Sequence, residues 1–495
     1  MEPAAALFEV IRGTGSVLAM TPSPAGNPQT AAARAVTVDT GALRQAVTES
    51  FDTTIAQLKE LVAIPGIAWP SFDAAPLNAS ADAVAQLVRG NGFHDVRILR
   101  CDKADGTPGG PAVVARRPAA AGKPTILLYA HHDVQPTGDL ALWETEPFTA
   151  VERDGRLYGR GAADDKAGIL AHIAAYAAVT RVLGDELGLG VTFFFEGEEE
   201  AGSPTFRTFL ETHRELLRAD VIVVADSSNW KVGIPALTTS LRGLVDGTIE
   251  VKVLDHAVHS GMFGGPVLDA PTLLSRLIAT LHDDEGNVAI AGLVSRDDVS
   301  VDLSEAEYRA DASLLDGVRL AGTGTIASRM WTKPALSIIG IDAPAVDVAS
   351  NTLLPRARAK FSLRLAPGQD PAEAMDAVRR HVEANAPFGA HVVFTPGESG
   401  NSFLTDTSSK AASVAMWALG EAWGVPAVET GIGGSIPFIA DLTELYPAVQ
   451  ILVTGVEDPD SRAHSANESL HLGDFRNAIV AEALMLARLN AEGLA

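Results

Sequence analysis

The sequence predicts an α/β protein: a mixed, largely parallel sheet flanked by helices, with a second, two-layer α+β unit inserted into it. Three observations carry this. Short continuous apolar runs, Ile126 to Ala130, Leu189 to Phe195 and Val221 to Ala225, read as strands buried on both faces, which is the signature of parallel sheets. Two other segments, Asp246–Val253 and Ala357–Leu365, alternate apolar and polar residues, as antiparallel strands with one solvent face do. At 495 residues the chain is also too long for one ordinary core.

Composition narrows the class. Hydrophobic residues make up 47% and charged residues 20%, values of a globular protein. A formal net charge of −24 argues against nucleic acid and anionic membranes as partners. No uninterrupted apolar run approaches the ~18–20 residues of a membrane span. Glu2, Glu9 and Arg12 interrupt what would be a secretory signal. Cys101 is the only cysteine, so disulfides within the chain and Cys-type zinc sites are excluded, and any metal must be held by His, Asp and Glu. A cytoplasmic protein is the simplest expectation.

Residues 1–40, rich in Pro, Ala and small polar residues from Thr21 on, read as a flexible extension. Apolar positions Leu43, Val47, Phe51, Ile55, Leu58, Leu61 and Val62 predict a helix over 41–63, and a second is expected over 80–90, ending at Gly90. Val96–Leu99 and Ala112–Arg116 follow as strands. The apolar run 126–130 then stops at His131-His132-Asp133. Ligand sites in open α/β sheets form beyond the carboxyl ends of such strands. His131 and Asp133 share one side of an extended chain. That pair can be two ligands, or a ligand and the carboxylate that orients it; a satisfied histidine at a strand end is the bland alternative.

Gly159 and Gly161 permit an irregular turn before Asp164-Asp165 and a helix over 166–183. A helix cap explains one of these aspartates and leaves the other free. The strand ending at Phe195 runs into Glu196-Gly-Glu-Glu-Glu200, four carboxylates in five residues, whose repulsion a cation would relieve. The third buried run ends at Asp226. Three strands thus end in possible ligands. Residues 240–398 carry the alternating strands together with helical patterns at 268–282 and 371–386, the latter started by Asp370-Pro371. The first unit, 41–239, resumes over 399–495 with a helix at 407–423, a strand at 448–454 and a helix at 474–490.

Tyr129-Ala-His131-His-Asp133-Val-Gln-Pro136, Gly159-Arg-Gly-Ala-Ala-Asp164-Asp165-Lys166, Glu196-Gly-Glu-Glu199-Glu200-Ala-Gly-Ser203, Asp226, His259-Ser-Gly and Ala463-His464-Ser-Ala-Asn-Glu468 occur in this order. Together they resemble the di-zinc metallopeptidases of the aminoacylase, carboxypeptidase G and carnosinase family. The resemblance covers nearly everything after residue 45 and is nearest to the dipeptidase branch that includes carnosinase. It implies that His131 and Asp226 hold one zinc, Glu200 and His464 the other, and that Asp164 bridges them; Mn²⁺ or Co²⁺ suits the same ligands. It implies that Asp133 orients His131, that Glu199 is the general base for a water activated between the metals, and that the Asp164–Asp165 peptide is cis. His259 matches the histidine that stabilises the tetrahedral intermediate, acting on the other subunit of a homodimer built on the inserted lid and dimerisation unit. Arg364 matches the residue that grips the substrate's terminal carboxylate. Asn351, Gly434 and Ser435 are further candidates for substrate contact.

Two departures stand out. Ala130 replaces a frequent glycine, and Glu198 adds a carboxylate that leaves the register of the base open by one residue; Glu199/Glu200 is chosen because Ala201-Gly202-Ser203 follows directly. The function expected is hydrolysis of dipeptides or short peptides with a free C-terminal carboxylate. The competing readings are an N-acyl-amino-acid deacylase, of the aminoacylase or succinyl-diaminopimelate desuccinylase type, a carbamate or amide hydrolase, and a non-catalytic binding protein. The last would show a lost base or ligand, and none is lost.

Overall fold

The computed structural model describes residues 38–434 and 437–494. The expected extension therefore lies outside the described residues for all but its last three positions, and candidate Ser435 lies outside them as well. The described residues form one compact unit.

The first helix, Thr40–Val62, follows its apolar spacing: Leu43, Val47, Ile55, Leu58, Leu61 and Val62 are buried. Asp39 caps it, its carboxylate accepting the Ala42 N–H at 2.9 Å. The second helix spans Ala75–Gly90, one and a half turns earlier than the expected 80–90. Pro76 in its first turn explains the difference, because proline is tolerated where the N–H has no intrahelical acceptor.

The central sheet has nine strands among the described residues. Its order runs Val96–Leu99, Ala112–Arg117, Gly190–Glu196, Thr125–His131, Val221–Val224, Gln450–Val453, Ala236–Leu241 and Phe403–Leu404, with Val428–Ile432 beside Ala236–Leu241. The middle is parallel: Thr125–His131 pairs in parallel with both Gly190–Glu196 and Val221–Val224, and Gln450–Val453 continues the series. The edges are antiparallel, as at Ala112–Arg117 against Gly190–Glu196. His131 stands opposite Glu196, so these two strands end level. All seven residues of Gly190–Glu196 are buried, which is why the run is continuously apolar and not alternating.

The helix Lys166–Leu183 packs against Thr40–Val62, the C-terminal helix Leu472–Glu492 and the Thr125–His131 strand. By length and composition alone it passes for a membrane span. Its apolar surface is instead buried inside the fold, from Ala167 to Val179.

A second sheet is built wholly from residues 335–400 and 243–252 and is antiparallel throughout, in the order Ala335–Asp342, Arg356–Leu365, Gly243–Lys252, His391–Gly400. Helices Ala270–Ala279 and Pro371–Ala384 cover one face; Leu273, Leu274, Leu277, Ala374, Val378 and Val382 pack on Val245, Ile249, Phe361 and Leu363. The chain passes between the two sheets at Leu241–Gly243 and returns at Gly400–Phe403. At this crossing the strands touch: a side chain on Gly243 would meet the Gly400 carbonyl oxygen at 2.8 Å.

Several elements leave little trace in the sequence. Ala236–Leu241 is fully buried, yet Thr238, Thr239 and Ser240 hide it from an apolar search; Thr238 finds a partner in the Ser227 hydroxyl at 2.7 Å. Ala335–Asp342 and His391–Gly400 are edge strands, largely exposed, so burial imprinted little period on them.

Candidate metal centre

The site lies where the parallel strands end. His131 is the last residue of its strand. Its Nε2 is 3.0 Å from Asp164 Oδ1, and its Nδ1 is 3.1 Å from the Asp133 carbonyl oxygen and 3.5 Å from Asp133 Oδ1. One ring nitrogen is thus held from behind while the other faces the site, the arrangement expected of an oriented metal-binding imidazole. The Asp133 carboxylate also accepts the backbone N–H groups of Glu199 at 3.2 Å and Glu200 at 3.0 Å, tying the acidic loop to the His131 turn. His132 turns away, its Nε2 at 2.7 Å from the Pro111 carbonyl, and burial lowers its pKa to about 4. Gly197 is required beside it: a side chain there would meet Pro111 O at 2.3 Å and His132 Nε2 at 2.6 Å.

The adjacent aspartates divide the work. The peptide between them is cis. Asp165 caps Lys166–Leu183, accepting the Gly168 N–H at 3.1 Å, and accepts the His131 N–H at 3.3 Å. Asp164 faces the site, its two oxygens 3.0 Å from His131 Nε2 and 2.9 Å from His464 Nε2. Holding this loop is a residue whose role the sequence did not reveal, although it closes the last motif. Glu468 is fully buried and accepts N–H groups from Gly161 at 3.1 Å, Ala163 at 3.0 Å and Asp164 at 3.1 Å, while pairing with Arg160 at 2.6 Å. Removing it leaves a buried guanidinium without its carboxylate and three N–H donors without their acceptor. Glu468→Ala is therefore expected to cost about 3–5 kcal/mol of stability and to weaken metal binding, read as a lower denaturant midpoint and reduced metal content. An unchanged midpoint would show that the Gly161–Asp164 loop keeps its shape without it.

In the acidic loop each carboxylate has its own environment. Glu196 is buried and accepts the Tyr129 hydroxyl at 2.6 Å. Glu198, the additional acid, accepts the Gly110 N–H at 2.6 Å and the Thr205 N–H at 2.8 Å, and also the Thr205 hydroxyl. It is a clamp between loops. Glu200 accepts the Gln135 N–H at 3.1 Å and its amide Nε2 at 2.7 Å, and lies 3.2 Å from His464 Nε2. Glu199 interacts with His131, Asp226, Asp133 and Glu200 through space. Gln135 lies within the His131 motif, which gave no sign of this role, and Glu457 had no sequence signal; burial and the charges of Asp164 and Asp226 hold the Glu457 carboxyl well above its usual pKa.

Two groups of donor atoms result, each within 4.8 Å of one another: His131, Asp164 and Asp226 in one, and Asp164, Glu200 and His464 in the other. Asp164 belongs to both. The electrostatics of the protein alone are those of a site built for cations. Burial and the neighbouring acids raise Asp226 to about 6 and Glu199 to about 9. Hydrogen bonds to Asp164 and Glu200 raise His464 to about 11. For His131 burial acts downward, but Asp133 and Asp164 outweigh it and hold the ring well above its usual value. In effect the protein must borrow protons to neutralise crowded carboxylates. The donors are all imidazole nitrogen or carboxylate oxygen, which fits Zn²⁺, Mn²⁺ or Co²⁺. His464 sits at φ +62°, in a loop where Arg462 and Asn467 also have positive φ, so this donor is presented by an uncommon backbone conformation.

The other candidates lie on or beside the second sheet. His259 is exposed and does not join either group of its own chain; its Nδ1 accepts the Gly261 N–H at 3.0 Å, a local cap at the start of a short helix. It pairs in register with Thr352, and the neighbouring Asn351 carbonyl accepts the Ser260 N–H at 3.1 Å. His259 and Asn351 are thus brought together. Arg364 is half-buried on the open face of its strand. Gly434 follows Gly433 in the turn after Val428–Ile432, where Gly433 O accepts from Arg242 Nε at 3.0 Å.

This site and fold have known counterparts. Residues 127–488 match the family model described as Peptidase family M20/M25/M40. The chain is 37% identical over 368 residues to a cysteinylglycine-S-conjugate dipeptidase of Corynebacterium striatum, spanning 73% of this chain and 80% of that one. Its fold is similar to that of the di-peptidase Dug1p of Saccharomyces cerevisiae, with a TM-score of 0.70 and 23% identity over 92% of this chain and 99% of the other. Human carnosine dipeptidase 1 gives a TM-score of 0.68 at 26% identity, over 92% of this chain and 100% of that chain.

Proposed function

The chain belongs to peptidase family M20/M25/M40, and from that premise we propose that it is a metal-dependent dipeptidase, hydrolysing the peptide bond of dipeptides or short peptides that carry a free C-terminal carboxylate. The observation that supports this most is the pair of donor groups sharing Asp164. In this reading His131 and Asp226 hold one divalent cation, Glu200 and His464 the other, and Asp164 both. Two cations bound there would lower the pKa of a water and polarise the scissile carbonyl.

The protein's own residues do the rest. Asp133 keeps His131 in the ligating tautomer and fixes the backbone of Glu199 and Glu200. Glu199, not committed to either donor group, accepts the proton of the attacking water and returns it to the leaving amine. Arg364 receives the terminal carboxylate, with Asn351, Gly434 and Ser435 as further substrate contacts. Residues 240–398 act as the inserted lid.

His259 completes the site of a second copy, where its ring stabilises the tetrahedral intermediate. The cytoplasmic homodimer expected from the sequence is part of this proposal. What supports the arrangement is that His259 is exposed and outside the donor groups of its own chain. Mixing the inactive variants His259→Ala and Glu199→Ala tests it. A mixed dimer would have one doubly damaged and one intact site, so random exchange restores about a quarter of all sites. No recovery, with mixed dimers seen by native mass spectrometry, would place His259 in its own chain's chemistry or in none.

A panel of dipeptides and N-acetyl amino acids, with metal-reconstituted protein, tests the reaction. Dipeptides are expected to turn over far faster. Preference for the N-acetyl series would overturn the dipeptidase reading in favour of a deacylase.

A further inference from the structure

We propose that Arg242 and Arg364 form a paired-guanidinium site for the terminal carboxylate of the substrate, making Arg242 a second specificity-determining residue. This rests on the dipeptidase reading.

The strand register brings the two together. Arg364 stands directly opposite Leu244 in the antiparallel ladder between Arg356–Leu365 and Gly243–Lys252. Arg242 is two residues before Leu244, in the short link from Ala236–Leu241 into that ladder. Residues two apart on an extended chain share a face, so Arg242 is the diagonal neighbour of Arg364.

The Arg242 guanidinium is held entirely by main-chain carbonyls. Nε donates to Gly433 O at 3.0 Å, and Nη1 donates to Arg329 O and Lys333 O, both at 3.4 Å. Its own N–H donates to Ile432 O at 3.2 Å. Those bonds fix the plane of the fork and leave Nη2 without an acceptor among the described residues. Nη2 lies beside Gly433: a side chain there would meet it at 2.8 Å.

No carboxylate forms an ion pair with Arg242 or Arg364 among the described residues, although the chain has 62 acidic residues against 38 basic ones. Burial, with the like charge of Arg364 adding to it, lowers the pKa of Arg242 to about 10, so Arg242 remains a cation at neutral pH. Two neighbouring half-buried cations, with no carboxylate paired to either among the described residues, are stabilised when a ligand brings the anion. A planar carboxylate with two oxygens matches two guanidinium forks. A neutral C-terminal amide does not.

The test compares kcat/KM for a dipeptide and for the same dipeptide as its C-terminal amide, using metal-loaded wild type, R242M, R242K, R364M and R242M/R364M. R242M is expected to lower the acid-to-amide ratio roughly 10- to 100-fold, the scale of one hydrogen bond to a charged group, and mostly through KM. R242K, which keeps the charge, recovers part of the ratio. R364M keeps a residual preference for the free acid that the double variant loses. Equal losses toward acid and amide in R242M would reduce Arg242 to a structural staple, and a double variant no worse than R364M would also overturn the pairing. Should R242M fail to fold, R242Q answers the same question, since its amide can still donate to Gly433 O. If wild type hydrolyses no dipeptide, the functional reading has failed, but the anion site is still tested by thermal shift. Free amino acids, and not their amides, should then stabilise wild type and lose that effect in R242M; no difference between the two ligands would overturn it.

Discussion

Glu199→Gln is expected to keep its full metal content and lose roughly 10²- to 10⁴-fold in kcat, the usual worth of a positioned general base. Three features of the structure lead there. Glu199 is the carboxylate of the acidic loop that neither ligates in a donor group nor clamps a neighbouring loop: Glu196 takes the Tyr129 hydroxyl, Glu198 takes Gly110 and Thr205, and Glu200 sits beside His464. Its backbone is pinned by Asp133. Its pKa, raised to about 9 by burial first and by the nearby acids, marks a carboxylate whose protonated form is accessible, and cations alongside would draw it downward toward the working range of a base. Glu200→Gln makes the contrast, because it removes a donor from the second group and is expected to lower metal occupancy by about one ion per chain. Metal analysis with single-turnover kinetics on both variants distinguishes them. Should Glu199→Gln lose an ion and Glu200→Gln keep both, the register of base and ligand is displaced by one residue.

Removal of the metals is expected to abolish hydrolysis and lower the melting temperature, with Zn²⁺, Mn²⁺ or Co²⁺ restoring both. Asp164, Asp226, Glu199 and Glu200 crowd one region at the carboxyl ends of three strands. Without cations their charges are relieved by His131 and His464, by the Gln135 hydrogen bonds to Glu200 and by bound protons. A ligand that binds only the folded state stabilises it by mass action. The experiment is dialysis against a chelator and then stepwise addition of each metal, with activity and melting measured together. Full activity in preparations shown to hold less than one-tenth of a metal ion per chain would rule out the proposed chemistry.

Much of this site was legible because parallel strands advertise themselves. Thr125–His131, Gly190–Glu196 and Val221–Val224 are buried on both faces, so their runs are continuous, and the residues just after each run must be loop at one sheet edge. His131, the Glu199–Glu200 pair and Asp226 could be placed together on that ground alone. The helix Lys166–Leu183 was placed to the residue by its glycine-rich entry and its cap. The four-stranded sheet was half legible: Gly243–Lys252 and Arg356–Leu365 lie in its middle and alternate, whereas the two edge strands do not.

What the sequence determined by itself was the kind of each element and the stock of donors, because periodicity and strand ends are local properties imposed by burial on neighbouring residues. Only the tertiary structure decided how those donors divide. Asp165 became a cap while Asp164 faced the site. Glu198 became a clamp while Glu200 met His464. Glu468 came to hold a loop some 300 positions earlier in the chain, and Arg242 came to lie diagonally to Arg364. Chemically similar carboxylates next to one another have no period to tell them apart. Their roles depend on which backbone N–H, hydroxyl or imidazole lies within about 3 Å, and in this fold those partners are supplied by distant segments whose approach is set by packing.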